Sequence, residues 1–306
     1  MKLLAVGTIA FDAIETPFGK TDKTLGGAAT YIGLSASVLD SSVCLVSVVG
    51  GDFPKDGLKM MTDRNINIDG VEVIEEGKTF FWSGKYHNDL NARDTITTEL
   101  NVLENFDPKV PNIAKNAEML LLGNLHPKVQ MSVLKQMNQR PKVVILDTMN
   151  FWMTHTWDAL LEIIAQTDII CINDEEARIL SGEYSLVKAA QKIQELGPHF
   201  VIIKKGEHGA LLFNEHQVFA IPALPLEEVF DPTGAGDTFA GGFAGYLSKT
   251  QNFSFENMKM ALIVGSAMAS FTVEKFGTER LIEVDEEKLR ARINEFKKLT
   301  SFEVEL

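Results

Sequence analysis

The strongest constraint on the fold is the way short apolar runs alternate with helical patterns along most of the 306-residue chain. The apolar runs are continuous instead of alternating with polar residues, which is typical of strands covered on both faces. They lie at residues 3–7, 43–49, 119–123, 143–147, 169–172, 200–204 and 210–213. Helical patterns lie at residues 28–39, 55–64, 127–138, 156–165, 175–180, 186–196, 236–249, 255–273 and 286–298. This alternation predicts an α/β fold with a mainly parallel sheet and helices on both faces.

Charge and hydropathy exclude several classes of partner. The chain has 29 lysine and arginine residues against 42 aspartate and glutamate residues, a net charge of −13. Such a surface repels nucleic acid and anionic membranes, so we expect neither as a partner. Cys44 and Cys171 lie in strand-like runs, which predicts buried free thiols. Because no apolar run reaches the roughly 18 residues of a membrane span, we expect a cytoplasmic protein.

The densest motif is Asp-Pro-Thr-Gly-Ala-Gly-Asp-Thr-Phe at residues 231–239, directly before an apolar helical run. Gly234 and Gly236 allow a sharp turn without the steric penalty of a Cβ atom. The turn leads into a helix N-terminus, whose free N–H groups and positive dipole end attract anions. Asp237 lies beside this site, where a carboxylate can remove a proton from a hydroxyl. The motif therefore predicts transfer of a phosphoryl group from ATP to an alcohol.

This motif resembles the C-terminal signature of the PfkB family, the ribokinase-like carbohydrate and nucleoside kinases, with Pro232 at a position where the signature has threonine. The resemblance implies a ribokinase-like three-layer α/β/α sandwich with a small β-sheet lid. It implies a large domain at residues 1–10, 26–70 and 101–306, and a lid at residues 11–25 and 71–100, two segments that lack the βαβ rhythm. It also implies that Asp237 is the catalytic base. The turn at Gly234 then presents the main-chain N–H groups of Ala235, Gly236 and Asp237 to the transferred phosphoryl group.

The same resemblance implies where ATP binds. Gly206 and Gly209 follow a predicted strand in a Gly-x-x-Gly segment, which lines the nucleotide pocket in the family. Lys204 or Lys205 is then expected to face the phosphates, and the sequence does not distinguish between the two. Residues 274–278, which include Gly277, resemble the loop that closes the adenine region.

Two pairs of residues are implied as ion ligands. Asn173 and Glu176 match the family's Asn-x-x-Glu motif, which helps to hold hydrated Mg²⁺; the alternative is an ordinary helix N-cap followed by acidic residues. Asp231 and Thr233 match positions that bind potassium in many relatives. The alternative for Asp231 is that its side chain only caps the turn.

The acceptor side is implied by two elements near the N-terminus. Asp12 corresponds to an aspartate that binds sugar hydroxyls, with an exposed loop residue as the alternative. Gly26 and Gly27 match the family's Gly-Gly substrate motif. Tyr31 departs from the pattern, because most relatives have an asparagine there that touches the sugar. This departure favours an acceptor other than ribose or fructose.

Further polar and aromatic residues are open to two interpretations. Asp147 and Asn150 lie past a predicted strand end, where open α/β sheets bind ligands, and resemble a family Asp-x-Asn element with one extra residue. In the lid segment, the aromatic side chains either stack on a base or pack the lid, and the basic ones either recognise an anion or are only solvated. These lid residues are Phe81, Trp82 and Tyr86, and Lys78, Lys85 and Arg93.

We therefore predict an ATP-dependent kinase that uses Mg²⁺, and potassium, to phosphorylate a primary hydroxyl of a sugar or sugar-like substrate. The alternatives are a nucleoside kinase of the same family and a non-catalytic ligand sensor on the same fold. A dinucleotide-dependent dehydrogenase is excluded because residues 7–12 lack the Gly-x-Gly-x-x-Gly spacing. Zinc-ligand spacings and a nucleophile elbow are also absent from the sequence. An exposed lid edge predicts a homodimer that pairs lid to lid.

Overall fold

The computed structural model describes residues 1–39, 41–88, 90, 92–301 and 303. Residues 89 and 91 of the predicted lid, and residues 40, 302 and 304–306 of the predicted large domain, lie outside this description. The strands are β1 (Leu3–Val6), β2 (Ala10–Thr16), β3 (Gly19–Gly26), β4 (Val43–Gly50), β5 (Asn67–Ile74), β6 (Phe81–Tyr86), β7 (Arg93–Glu99), β8 (Met119–Leu122), β9 (Val143–Leu146), β10 (Ile169–Asn173), β11 (Phe200–Lys204), β12 (Ala210–Phe213) and β13 (Val218–Ile221). The helices are α1 (Ala28–Ser37), α2 (Lys55–Asp63), α3 (Pro127–Lys135), α4 (Asn150–His155), α5 (Trp157–Ile164), α6 (Asp174–Ser181), α7 (Leu186–Gln194), α8 (Ala235–Thr250), α9 (Phe255–Thr272), α10 (Glu279–Ile282) and α11 (Glu286–Thr300).

A large sheet forms the middle layer, in the order β13-β12-β11-β10-β9-β8-β1-β4-β5. Its strands are parallel from β5 to β11, and β12 and β13 are antiparallel to their neighbours. Residues along β1 alternate between two apolar cores: Leu3 and Ala5 face one, while Leu4 and Val6 face the other. Burial on both faces explains why the strands are continuous apolar runs. The predicted three-layer α/β/α fold is confirmed.

The two cores contain different helices. One core packs α1, α8, α9 and α11 against the sheet, and the other packs α3, α5, α6 and α7. Both cysteines are buried free thiols, as the sequence predicts, and burial raises the pKa of each to about 12. No helix in the described part of the chain combines the length and apolar character needed to cross a membrane.

The lid is a separate four-stranded sheet in the order β3-β2-β6-β7. Strands β2 and β3 pair antiparallel, as do β6 and β7, and the central pair β2–β6 is parallel. One boundary differs from the sequence prediction: residues 71–74 extend β5 and pair with β4 in the large sheet. This edge strand is only partly buried, so its sequence lacks the continuous apolar run that identified the inner strands. The division into two domains and the lid-to-lid homodimer stay predictions.

Candidate active site

Three neighbouring parallel strands bring polar side chains to one edge of the large sheet. Asp147 directly follows β9, Asn173 ends β10 and Lys204 ends β11. Asn173 and Lys204 are register partners across the β10–β11 pair. Because parallel strands end at the same edge, residues that are distant in sequence meet here.

The anion turn, which we define as residues 231–237, leads into α8 at this edge. Gly234 is the N-cap residue with φ 74°, a left-handed conformation that favours glycine. A methyl group at this position would overlap the ring of Tyr31, so glycine is also required for packing. The N–H of Ala235 is occupied by Pro232 O at 3.2 Å, whereas those of Gly236 and Asp237 have no partner among the described residues. Two main-chain donors are therefore available for an anion.

Asp237 belongs to a charge cluster with Asp147, Glu176 and Lys204. Lys204 Nζ is 3.1 Å from Asp147 Oδ1, and a Cβ atom on Gly236 would lie 3.0 Å from the same ammonium nitrogen. Burial and the Asp147 charge raise the pKa of Asp237 to about 7, against the opposing effect of Lys204. Burial lowers the pKa of Lys204, but the surrounding anionic groups outweigh it, so the net shift is upward. Lys204 is therefore the lysine directed at the anion turn.

Asn173 and Glu176 form a reciprocal capping box at the start of α6. Asn173 Oδ1 accepts from Glu176 N at 2.8 Å, and Glu176 Oε2 accepts from Asn173 N at 2.7 Å. Burial raises the pKa of Glu176 to about 7, while the Lys204 charge opposes this shift. Since Glu176 Oε1 has no hydrogen bond among the described residues, the pair fits Mg²⁺ held through water better than a closed cage. The described part of the chain contains no group of three or more histidine, cysteine, aspartate or glutamate side chains that could hold a metal ion.

Asp231, the first residue of the anion turn, is completely buried. Its Oδ1 accepts from Thr233 N at 2.8 Å, and its Oδ2 accepts from Gly277 N at 2.9 Å. Burial raises the pKa of this carboxyl group, while the hydrogen bonds from Gly277 and Thr233 lower it. The carboxylate thus caps the turn, which was one of the two interpretations of the sequence, and joins it to the loop at Gly277.

The remaining predicted ATP residues shape a hairpin. Gly206 and Gly209 both have positive φ, at 55° and 85°, in the turn that connects β11 to β12. A side chain on Gly209 would overlap Ile221 O on the adjacent strand. The close approach of this strand therefore explains why residue 209 is a glycine. Gly277, with φ 57°, lies against Thr24 of the lid.

The acceptor residues gather where the lid meets α1. Asp12 is buried, not exposed, and a side chain on Gly26 would overlap its carboxylate. Tyr31 is also buried, and its hydroxyl has no hydrogen-bond partner in the described part of the chain. Gly27, with φ 90°, is the N-cap residue of α1. The predicted acceptor residues Asp12 and Tyr31 are therefore shielded from solvent, and their contact with an acceptor stays a prediction.

The lid contacts the anion turn directly, which the sequence does not predict. Thr233 Oγ1 donates to Tyr86 Oη at 3.1 Å. Trp82 packs over Gly84 within the lid and donates from Nε1 to Thr95 Oγ1 at 3.3 Å. Trp82 thus packs within the lid in this structure, while stacking of the lid aromatic side chains on a base stays a prediction. Asn150 is exposed and does not join Asp147 in the charge cluster.

Burial of Asp12 makes a prediction about stability. Burial, with the charges of Asp231 and Asp237, raises the pKa of Asp12 to about 7. A carboxyl group whose pKa is raised in the folded state binds more protons when folded, so the free energy of unfolding falls as the pH rises from about 4 to 7. Replacing Asp12 with asparagine should therefore raise the free energy of unfolding at pH 8 by about 2–4 kcal/mol, with little effect at pH 4.

Urea unfolding at both pH values measures this effect. Asp22→Asn, at an exposed lid residue, is the control and should change stability by less than about 0.5 kcal/mol. Equal effects of the two substitutions at pH 8 would contradict the interpretation of Asp12.

Comparison with known proteins places the chain in a family. The profile of the pfkB family carbohydrate kinases matches residues 2–284. A cytidine kinase of Thermococcus kodakarensis is 31% identical over 251 residues, covering 80% of this chain and 88% of the relative. A nucleoside kinase of Methanothermobacter thermautotrophicus is 28% identical and covers 90% of this chain and 91% of the relative.

The fold agrees with this assignment. The crystal structure of the Methanocaldococcus jannaschii nucleoside kinase, an archaeal member of the ribokinase family, superposes with a TM-score of 0.77 at 23% identity, covering 96% of this chain and 98% of that one. The chain belongs to the pfkB family of carbohydrate kinases. It is a kinase with the ribokinase-like fold, and the family implies use of ATP, typically with Mg²⁺.

Proposed function

We propose that this protein transfers the γ-phosphoryl group of ATP to the primary hydroxyl of a nucleoside, with Asp237 as the general base. The observation that carries the proposal is the position of Asp237 in the first turn of α8, beside two free main-chain donors and the Lys204 ammonium group. The main-chain donors and the ammonium group are suited to bind an incoming phosphate. The neighbouring carboxylate is suited to accept the proton that the hydroxyl must lose.

The proposed steps follow from the charges. With a pKa of about 7, Asp237 is largely ionised at pH 8 and accepts the hydroxyl proton as the oxygen attacks phosphorus. The N–H groups of Gly236 and Asp237 and the Lys204 ammonium group hold the negative charge of the transferred group. Asn173 and Glu176 would hold Mg²⁺ through water. When bound, this ion neutralises charge on the donor phosphates.

The acceptor is proposed from the relatives and from Asp12. The most similar full-length relatives reported above are named as cytidine and nucleoside kinases. The Asp12 carboxylate accepts hydrogen bonds and suits the hydroxyl groups of a ribose ring. A nucleoside offers such a ring together with a primary hydroxyl.

Coupled ADP release with a panel of acceptors tests the proposal. Cytidine, inosine and adenosine represent nucleosides, and ribose and fructose represent sugars. We expect turnover with a nucleoside and none with its 5′-deoxy analogue, which lacks the primary hydroxyl. Faster turnover of ribose or fructose would favour the sugar kinase instead, and no ADP release with any acceptor would favour the ligand sensor.

Potassium dependence is a separate part of the proposal. Asp231 and Thr233, which are joined by a hydrogen bond, are proposed as ligands of a monovalent cation, whose charge would stabilise an anion bound at the turn. Turnover in potassium chloride should exceed that in tetramethylammonium chloride of equal ionic strength by about tenfold, which corresponds to about 1.4 kcal/mol in the barrier. Equal rates would leave Asp231 with the capping role alone.

A further inference from the structure

Glu274, in the loop between α9 and α10, is held by two arginines from different helices. Arg280 of α10 donates from Nε to Glu274 Oε2 at 2.7 Å, and Arg292 of α11 donates from Nη2 to Glu274 Oε1 at 2.6 Å. The three side chains are between 10% and 25% exposed, so solvent screens their charges only partly. Both oxygens of one carboxylate are therefore engaged in charge-assisted hydrogen bonds. We call Glu274, Arg280 and Arg292 the arginine clamp.

Further contacts fix the position of Arg292. Its Nη1 donates to Ser270 Oγ on α9 at 2.7 Å, and its guanidinium carbon lies 4.0 Å from the centre of the Phe271 ring. The guanidinium carbon of Arg280 lies 5.5 Å from the centre of the same ring. A planar guanidinium group over an aromatic face has few alternative positions. The clamp thus fixes Glu274 relative to α9, α10 and α11 together.

The residues on either side of Glu274 bond to the start of the anion turn. Val273 O accepts from Phe230 N at 2.8 Å, and Gly277 N donates to Asp231 Oδ2 at 2.9 Å. Glu274 lies between these two attachment points in the chain, so its position determines where both of them lie. Movement of the Glu274 carboxylate would therefore displace the N–H group from which Asp231 accepts.

Asp231 carries this link into the anion turn. Its Oδ1 accepts from Thr233 N at 2.8 Å, while its Oδ2 accepts from Gly277 N. Because Asp231 is completely buried, a lost hydrogen bond could not be replaced by one to bulk water. The turn then leads to the first residues of α8, where Gly236 and Asp237 present their N–H groups to an anion. A series of hydrogen bonds thus connects the clamp to the predicted phosphate donors.

Buried ion pairs are better suited to positioning than to stabilisation. Removing charges from water costs free energy that offsets their mutual attraction, so apolar side chains of similar volume would attach α11 to α9 equally well. Hydrogen bonds to both oxygens of Glu274 instead restrict the carboxylate to one place and one orientation. The chemistry of the clamp therefore points to a role in fixing the loop, beyond the attachment of α11.

We propose that Glu274 is a positioning residue for phosphoryl transfer, an inference that rests on the proposed function. Held by Arg280 and Arg292, it fixes residues 273–277. These residues keep Asp231, and with it the anion turn, in the shape that receives the transferred group. Glu274 itself contacts neither ATP nor the acceptor. Through Arg292, α11 influences the rate of a reaction to which it supplies no reacting group.

Glu274→Gln and Glu283→Gln form a matched pair for the test. Both substitutions remove a carboxylate that binds Arg280, but the second partner of Glu283 is Lys275 instead of Arg292, and Glu283 is 46% exposed. The amide of glutamine can accept from only one of two facing guanidinium groups, because its nitrogen is itself a donor. Glu274→Gln should therefore lower kcat/KM for ATP by about tenfold, less than the roughly 10²–10³-fold effect of losing a donor outright. The KM of the acceptor and the kinetics of Glu283→Gln should stay within about twofold of wild type.

Amide hydrogen exchange measures the position of the loop without turnover. The Gly277 amide should exchange at least about tenfold faster in Glu274→Gln, because its hydrogen bond to Asp231 opens more often. Amides of β9 should accelerate by a smaller factor, which distinguishes local opening of the loop from global unfolding. If Glu274→Gln does not fold, Glu274→Asp and Glu283→Asp replace the pair, since a shorter carboxylate keeps the charge but reaches the two arginines less well.

Three outcomes would overturn the inference while the proposed function stands, provided that the wild type is active. Glu274→Gln could match Glu283→Gln in both measurements, accelerate exchange at Gly277 without lowering kcat/KM for ATP, or lower kcat/KM without accelerating exchange. In each case Glu274 does not act on the reaction through the loop. Absence of wild-type turnover with every acceptor would contradict the proposed function itself.

Discussion

Replacing Asp237 with asparagine should lower kcat by about 10²–10⁴-fold, the usual contribution of a general base. The amide keeps the shape of the side chain but cannot accept the hydroxyl proton. Affinity for ATP should be retained or improved, since the substitution removes a negative charge beside the Lys204 ammonium group. The measurement is steady-state ADP release at pH 8 with saturating ATP and acceptor.

Asp158→Asn provides the matched control. Asp158 is also in the first turn of a helix, α5, but it is exposed and is not among the charges that shift the pKa of Asp237. Its replacement should leave kcat within about twofold of wild type. Thermal unfolding should show that Asp237→Asn remains folded. Near-normal turnover by Asp237→Asn would remove this residue from the role of base.

Replacing Lys204 with methionine should impair both stability and activity. Removing one partner of a buried ion pair leaves the other charge uncompensated, at a cost of about 3–5 kcal/mol. We expect about 3 kcal/mol at pH 8, because the Lys204 side chain is 18% exposed. Lys204 opposes the upward pKa shifts of Asp147 and Glu176, so without it these groups should be protonated more readily and stability should recover as the pH falls.

The kinetics of the Lys204→Met variant should show whether this lysine lies beside both the bound ATP phosphates and Asp237. Loss of the ammonium group should lower kcat/KM for ATP by about 10²–10³-fold. It should also shift the acidic limb of the pH–rate profile to higher pH, because Lys204 lowers the pKa of Asp237 and its loss would let that pKa rise. Lys205→Met, one residue further along, is the control and should have little effect on either quantity.

A double substitution separates the two effects of Lys204. Combining Lys204→Met with Asp147→Asn removes both charges of the pair and should restore most of the lost stability. Activity should remain low, because the cation beside the anion turn is still absent. Recovery of activity together with stability would show that Lys204 has only a structural role.

The inner strands and the anion turn could be predicted because their causes are local. Strands buried on both faces need continuous apolar residues, as in β4 and β9, and the turn needs glycine at Gly234. The edge strand β5 was not predicted, and residues 71–74 were assigned to the lid, because this strand is only partly buried and has no continuous apolar run. The sequence also predicted that the N–H of Ala235 holds the phosphoryl group, but this N–H donates to Pro232 O instead.

The charge cluster and the lid contact depend on tertiary structure. Lys204 and Asp147 are 57 residues apart, and no local pattern shows that they pair. The contact between Tyr86 and Thr233 spans 147 residues and depends on how the lid is placed. At Asn173 one pattern had two interpretations, and the capping box is compatible with both, because a side chain that caps a helix can also bind water around an ion.

The most direct test of phosphoryl transfer from ATP to a nucleoside hydroxyl is a single-turnover experiment with γ-labelled ATP, excess enzyme and the acceptor selected by the panel. We expect the label to appear on the acceptor in an amount equal to the ADP formed, at a rate that falls by at least about a hundredfold in Asp237→Asn. Label recovered only as inorganic phosphate, or retained in ATP, would contradict the account.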